Sequence, residues 1–253
     1  MDAEKQFLAE LEAFRVDSES AAQFFYTFQA IHYMASQDKR LLTRLNWNPM
    51  FWNTTMGALR DSSLSALGRV FDQHGESHNI RRLLKFAQDH PQVFSKSALR
   101  VRKLGEMKDA PDRVDDYVHD AYEPTADDWR RLRKHVGKWE AVYRRNYRDI
   151  RHKVVAHRER ITEFERADLF AKTRYVELEK VCAFLDAFHE ALWQLYHNGR
   201  RPVIKYRRYS LRSMLGRGTR TRRGATAGEL AAIDAKSFLS RLVSRHRKST
   251  GAA

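Results

Sequence analysis

The sequence predicts an all-α fold: a helical bundle with a basic, partly flexible C-terminal extension that ends in a short amphipathic helix. Three observations lead there. Apolar residues recur every three or four positions through most of residues 1–199, the period of one helix face. Only five Pro and eleven Gly interrupt 253 residues, too few for the many turns of a β-sandwich. No alternating apolar–polar run of useful length and no internal repeat occurs.

The elements follow from that period. Residues 4–15 place Phe7, Leu8, Leu11 and Phe14 on one face, and a second helix over 18–36 does the same with Ala22, Phe25, Phe28 and Ile31. Asn48-Pro49 announces a third: Asn can cap orphan amides and Pro loses nothing at the first helical position. That helix carries Trp52, Met56, Leu59, Leu67 and Phe71 and stops near Gln73-His74-Gly75. Asn79 opens a short helix with Ile80, Leu83 and Leu84, and Pro91 separates it from another near 93–105. Residues 106–124, rich in Asp and bounded by Pro111 and Pro124, read as a loop. Thr125-Ala126-Asp127-Asp128 then starts the clearest helix, its acids suited to the positive end of the helix dipole. Its apolar face runs Trp129, Leu132, Val136, Trp139, Tyr143, Tyr147, Ile150 and Val154. A last body helix over 174–197 ends at Asn198-Gly199, a left-handed stop. His32, His74, His78 and His90 read as structural or solvated, and the aromatics of the 125–154 helix as core.

Charge divides the chain into two units, a helical domain 1–199 and an extension 200–253. The extension holds 15 Lys and Arg against Glu229 and Asp234, or +13 of the total +15. A stretch such as Gly216 to Gly224 buries too little surface to offset its ordering entropy. Periodicity returns over 227–247 with Leu230, Ile233, Phe238 and Leu242. Such asymmetry marks contact with nucleic acid or an anionic surface. Tyr206 and Tyr209, interleaved with the cations, favour RNA, held by Arg207, Arg208, Arg217, Arg220, Arg222 and Arg223. One cysteine, Cys182, excludes an internal disulfide and a cysteine zinc cluster, and no metal ligand set or cofactor motif is present. No run nears the roughly 18 apolar residues of a membrane span, and no leader pattern opens the chain, so a cytoplasmic location is expected.

One segment carries chemistry: Arg151-His152-Lys153-Val154-Val155-Ala156-His157, flanked by Arg148, Arg158 and Arg160. Arginine offers a planar fork of donors to phosphate oxygens, and histidine can take and give a proton near neutral pH. The bare arginine-to-histidine spacing also occurs elsewhere, as at Arg69/His74 and Arg130/His135. Arg151/His157 stands apart because a polar residue follows the arginine and an apolar run ending in Ala precedes the histidine. Neighbouring cations disfavour protonation of His157, leaving an imidazole able to accept a ribose 2′-hydroxyl proton. Arg151 would hold the phosphate and offset its developing charge, giving a 2′,3′-cyclic phosphate. On a straight helix six positions leave the two side chains about 120° apart. A helix end or a second subunit must bring them together.

The seven-residue segment resembles the motif of the HEPN superfamily. Leu64-Ser65-Ala66-Leu67-Gly68-Arg69-Val70-Phe71-Asp72 and Ile80-Arg81-Arg82-Leu83-Leu84 resemble its abortive-infection, AbiU-like branch. The likeness covers roughly residues 10–197 and fades in the extension. It implies a bundle that forms a homodimer with both motifs in one cleft, which in catalytic members hydrolyses RNA without metal. The catalytic set it implies is Arg151 and His157 with His152 in support, and Arg148, Lys153 and Arg158 at the RNA. Arg145-Asn146 with His152 is a competing register. A phage-defence toxin of this kind would have an antitoxin or nucleotidyltransferase partner. The alternatives are a non-catalytic RNA-binding or protein-interaction scaffold and a membrane-surface protein held by its C-terminal helix.

Overall fold

The computed structural model describes residues 2–72, 78–106, 112–156, 162–206, 210–216 and 224–244. Among these the regular structure is helical throughout, with no strand, and no helix is long and apolar enough to cross a membrane.

The spine is a single helix, α1 (Ala3–Gln37), where two had been expected. Asp17-Ser18-Glu19-Ser20 contains neither Pro nor Gly, and Ser18 lies buried within the apolar stripe that runs from Phe7 through Phe14 and Ala21 to Phe25. Polar residues without a backbone constraint do not end a helix whose face is covered. After α2 (Lys39–Leu45), α3 (Pro49–Phe71) packs along α1. Pro49 occupies the first turn as expected, but the Asn48 side chain makes no capping bond. Asn79 does cap α4 (Ile80–Asp89), accepting from the Arg82 backbone at 2.9 Å.

A 3₁₀ turn, Pro91–Phe94, leads into α5 (Lys96–Glu106). The stretch 106–124 is not simply a loop: it contains α6 (Asp112–His119). Val114, Val118 and Ala121 fall four and three apart and close with Leu99 into a small satellite core. That short stripe was obscured by the surrounding Asp residues.

Then α7 (Ala126–Asn146) lays Trp129, Leu132, Val136, Trp139 and Tyr143 into the main core. The helical phase breaks at Tyr147, short of the expected run to Val154, and resumes as a π-helical segment, Ile150–Ala156, lying against α3. A short helix not anticipated from the sequence, α8 (Glu163–Ala171), starts at a reciprocal cap between Thr162 and Glu165. The core's other wall is α9 (Tyr175–Asn198), buried through Leu178, Phe184, Leu185, Phe188 and Leu192. Gly199 ends it at φ +56, and a Cβ there would come within 2.7 Å of Ala121 and Leu99.

Beyond Gly199 the described segments pack on the body. Tyr206 accepts from the Trp139 indole at 3.2 Å and sits 2.9 Å from His135 Nδ1. Leu211, Met214 and Leu215 of α10 (Leu211–Gly216) and Ala232 of α11 (Ala227–Ser244) join the main core, with α11 lying along α1. The apolar stripe read over 227–247 is therefore a packing face.

Asp128 ties this segment to α7. Its carboxylate accepts from the Thr125 backbone at 2.9 Å, the Thr125 hydroxyl at 2.8 Å and Tyr122 at 2.5 Å, and pairs with Arg131 and Arg201. Burial alone would raise the carboxyl, but these donors outweigh it and hold Asp128 far below the usual carboxylate range. A depressed folded-state value means that the stabilisation is complete above the unfolded value, about 4, and is lost as pH falls through the folded one. Asp128→Asn is expected to cost about 2–3 kcal/mol at pH 7. Urea titrations should show the gap to the native protein narrowing as pH falls below about 4; a gap constant with pH would contradict this assignment.

Candidate functional site

Three elements meet around Arg151. The C-terminal turn of α3 contributes Gly68, Phe71 and Asp72; the end of α7 and the turn after it contribute Tyr143, Arg144 and Arg148; the π-helical segment contributes Arg151 and His152. Together they line a cleft of about 260 Å³. π-helical turns are rare and gather at functional sites, because the widened turn re-aims side chains that an α-helix would space differently.

The Arg151 side chain is only 22% exposed and lies across the backbone of α3. Gly68 makes that path possible: a Cβ there would stand 2.7 Å from Arg151 Nε and 3.3 Å from its Cδ and Cγ. At the far end, Arg151 Nη2 is 3.9 Å from Asp72 Oδ2, and Nη1 is 3.5 Å from His152 Nε2. These contacts are long for charge-assisted bonds, so they orient the guanidinium without consuming its donors.

Tyr143 forms the floor, stacked on Phe71 with ring centroids 5.1 Å apart. Burial pushes its phenol up to about 12, with Arg151 and Arg148 pulling the other way. It is protonated at neutral pH and remains a donor. Arg144 and Arg148 are exposed at the rim, and among the described lining residues Asp72 is the one acid, against three arginines. An anion of phosphate size is the ligand this charge pattern suits.

Sequence reasoning and geometry agree in part. Arg151, His152 and Arg148 share the cleft, while Lys153 is half-buried on the same turn and is not among its lining residues. His157 and Arg158 lie outside the described residues, as do Arg207, Arg208, Arg217, Arg220, Arg222 and Arg223. Arg145, from the competing register, is not in the cleft: it lies 3.8 Å from Glu177 of α9 and bonds Asn146. Arg69 pairs with Asp17 of α1 at 2.7 Å, while Asp72 faces Arg151. Gly68, Tyr143 and Arg144 were missed as site residues. A helix-interior glycine on a buried face was the signal available for the first, since such a glycine often marks a close approach.

Comparison with known proteins agrees with this architecture. The family model of HEPN proteins described as AbiU2 matches residues 4–212. No curated protein and no solved structure matches the chain.

Proposed function

Because the chain belongs to the AbiU2 family of HEPN proteins, we propose that it is a metal-independent endoribonuclease, a toxin or phage-defence effector of the abortive-infection kind, acting as a cytoplasmic homodimer. The observation that carries this reading is Arg151, seated over Gly68 with its donors turned to a cationic cleft.

In this reading the scissile phosphate sits against Arg151 with Arg148 and Arg144 at its flanks, and Lys153 and Arg158 reach the neighbouring backbone. His157 accepts the proton of the ribose 2′-hydroxyl. The 2′-oxygen–phosphorus bond forms as the bond to the 5′-oxygen breaks, and that oxygen leaves with a proton drawn from solvent. Charge building on the phosphate is offset by the guanidinium, the kind of preorganised contact that contributes most to such reactions. His152 orients Arg151. Pairing two subunits through the 148–158 segment would complete the cleft with the second motif. Arg207, Arg208, Arg217, Arg220, Arg222 and Arg223 add affinity for RNA and take no part in the bond changes.

The test is incubation of the purified protein with total RNA in excess EDTA. Fragments bearing 2′,3′-cyclic phosphate are expected. RNA that is retained but not cut would instead assign the fold to a binding scaffold, with an antitoxin or nucleotidyltransferase gene alongside as an independent sign of a toxin.

A further inference from the structure

A larger cavity, of about 660 Å³, lies between α4 and α7. Four cations line it, Arg81, Arg82, Lys85 and Arg133, with Asp89 the acid among the lining residues. It borders the same helix, α7, as the cleft does. Arg81 grips Glu140 of α7 at 2.7 and 2.5 Å, and Tyr143, the floor of the cleft, stands one turn further on, about 4.5 Å along the axis. Asp72 borders the cleft and Asn79 borders the groove. Arg133, Gly137 and Arg144 follow one stripe of α7, so basic residues of both cavities lie on the same side of that helix.

From this placement along one helix we propose that the α4–α7 groove is a track for the phosphates of a single-stranded nucleic acid whose next segment enters the cleft. The proposal rests on the ribonuclease reading of that cleft for what happens at its end. Arg81 and Arg82 are anchored on the buried carboxylates of Glu140 and Glu10, yet their side chains stay 58% and 37% exposed. Fixed cations of this kind lose little rotamer freedom when a phosphate arrives. Lys85 and Asp89 pair at 2.5 Å on the exposed rim, a contact of small net worth that a phosphate can replace. No aromatic residue is among the described residues that line the groove, so it grips backbone and reads no base. A single strand can bend from groove to cleft and present an unstacked 2′-hydroxyl there; a stacked duplex cannot.

The test uses the full-length Lys85→Gln/Arg133→Gln double variant. Arg81 and Arg82 are kept because they neutralise buried carboxylates. The probe is a labelled single-stranded oligodeoxynucleotide, which has the same phosphates but no 2′-hydroxyl and so cannot be cut. Loss of two phosphate contacts is expected to flatten the slope of log affinity against log salt by about 1.4, at about 0.7 per contact. Affinity should fall several-fold at low salt, with an unchanged melting temperature. An unchanged slope and affinity, or no retention of the oligonucleotide by the native protein, overturns the groove assignment. An equal loss with duplex DNA overturns its single-strand character. Cleavage of RNA by the native protein, measured in parallel, judges the ribonuclease reading separately.

Discussion

Arg151→Ala is expected to lower RNA cleavage about 10²–10³-fold, the usual loss when one preorganised donor is taken from a developing negative charge. His157→Ala should lower it by roughly 10²–10⁴, the range for a positioned proton-transfer group. Neither change should unfold the chain: the polar contacts of Arg151 are long, and it stands outside the apolar core. His152→Ala should do less harm, because its nitrogen meets the guanidinium only at 3.5 Å. Turnover of a fluorogenic oligoribonucleotide in EDTA measures all three, with circular dichroism as the check on folding. Equal activity of His157→Ala and the native protein would reject the assignment. A greater loss in His152→Ala than in His157→Ala would move the chemistry to the register of Arg145.

Gly68→Ala should separate stability from activity in opposite directions. Alanine in a helix interior is favoured over glycine by roughly 1 kcal/mol, so α3 should lose nothing and the melting temperature should hold or rise. The added methyl, however, would occupy space 2.7 Å from Arg151 Nε, and the flexible guanidinium is what gives way. A displacement of about 1 Å at a positioning group can cost on the order of 10²-fold. Cleavage is therefore expected to fall about 10²-fold with kcat bearing most of the loss, in a protein at least as stable as its parent. Native turnover in Gly68→Ala would show that the seat over α3 does not matter.

The helices were legible wherever apolar residues recurred without interruption, as in α7 from Trp129 to Tyr143 and in α9. Periodicity could not show that α1 continues through Ser18, because a buried serine and an exposed one look alike in a sequence. It also passed over α6, whose stripe is only three residues long. Of the site, the sequence pointed to Arg151 and His152 through their spacing and residue types. It could not show what they face. Asp72 and Gly68 reach Arg151 only through the crossing of α3 over the π-helical segment, and the break of helical phase at Tyr147 that sets Arg151 relative to Tyr143 leaves no residue-type signature.

The docking of α10 and α11 changes what the arginine-rich runs can be. Arg207 and Arg208 fall between Tyr206, held by Trp139 and His135, and Leu211, buried in the core. Arg217 to Arg223 fall between Gly216, the last residue of α10, and Ala227, the first of α11. Both runs are thus bounded in sequence, at each end, by residues packed on the body that carries the cleft. If they hold RNA as proposed, a strand already engaged at the cleft meets these cations as an intramolecular event, at an effective concentration set by the length of chain between those fixed points. Shortening or lengthening either run would then tune avidity without altering any contact, whereas cutting the chain at Gly199 would strip a face from α1 and confound affinity with unfolding.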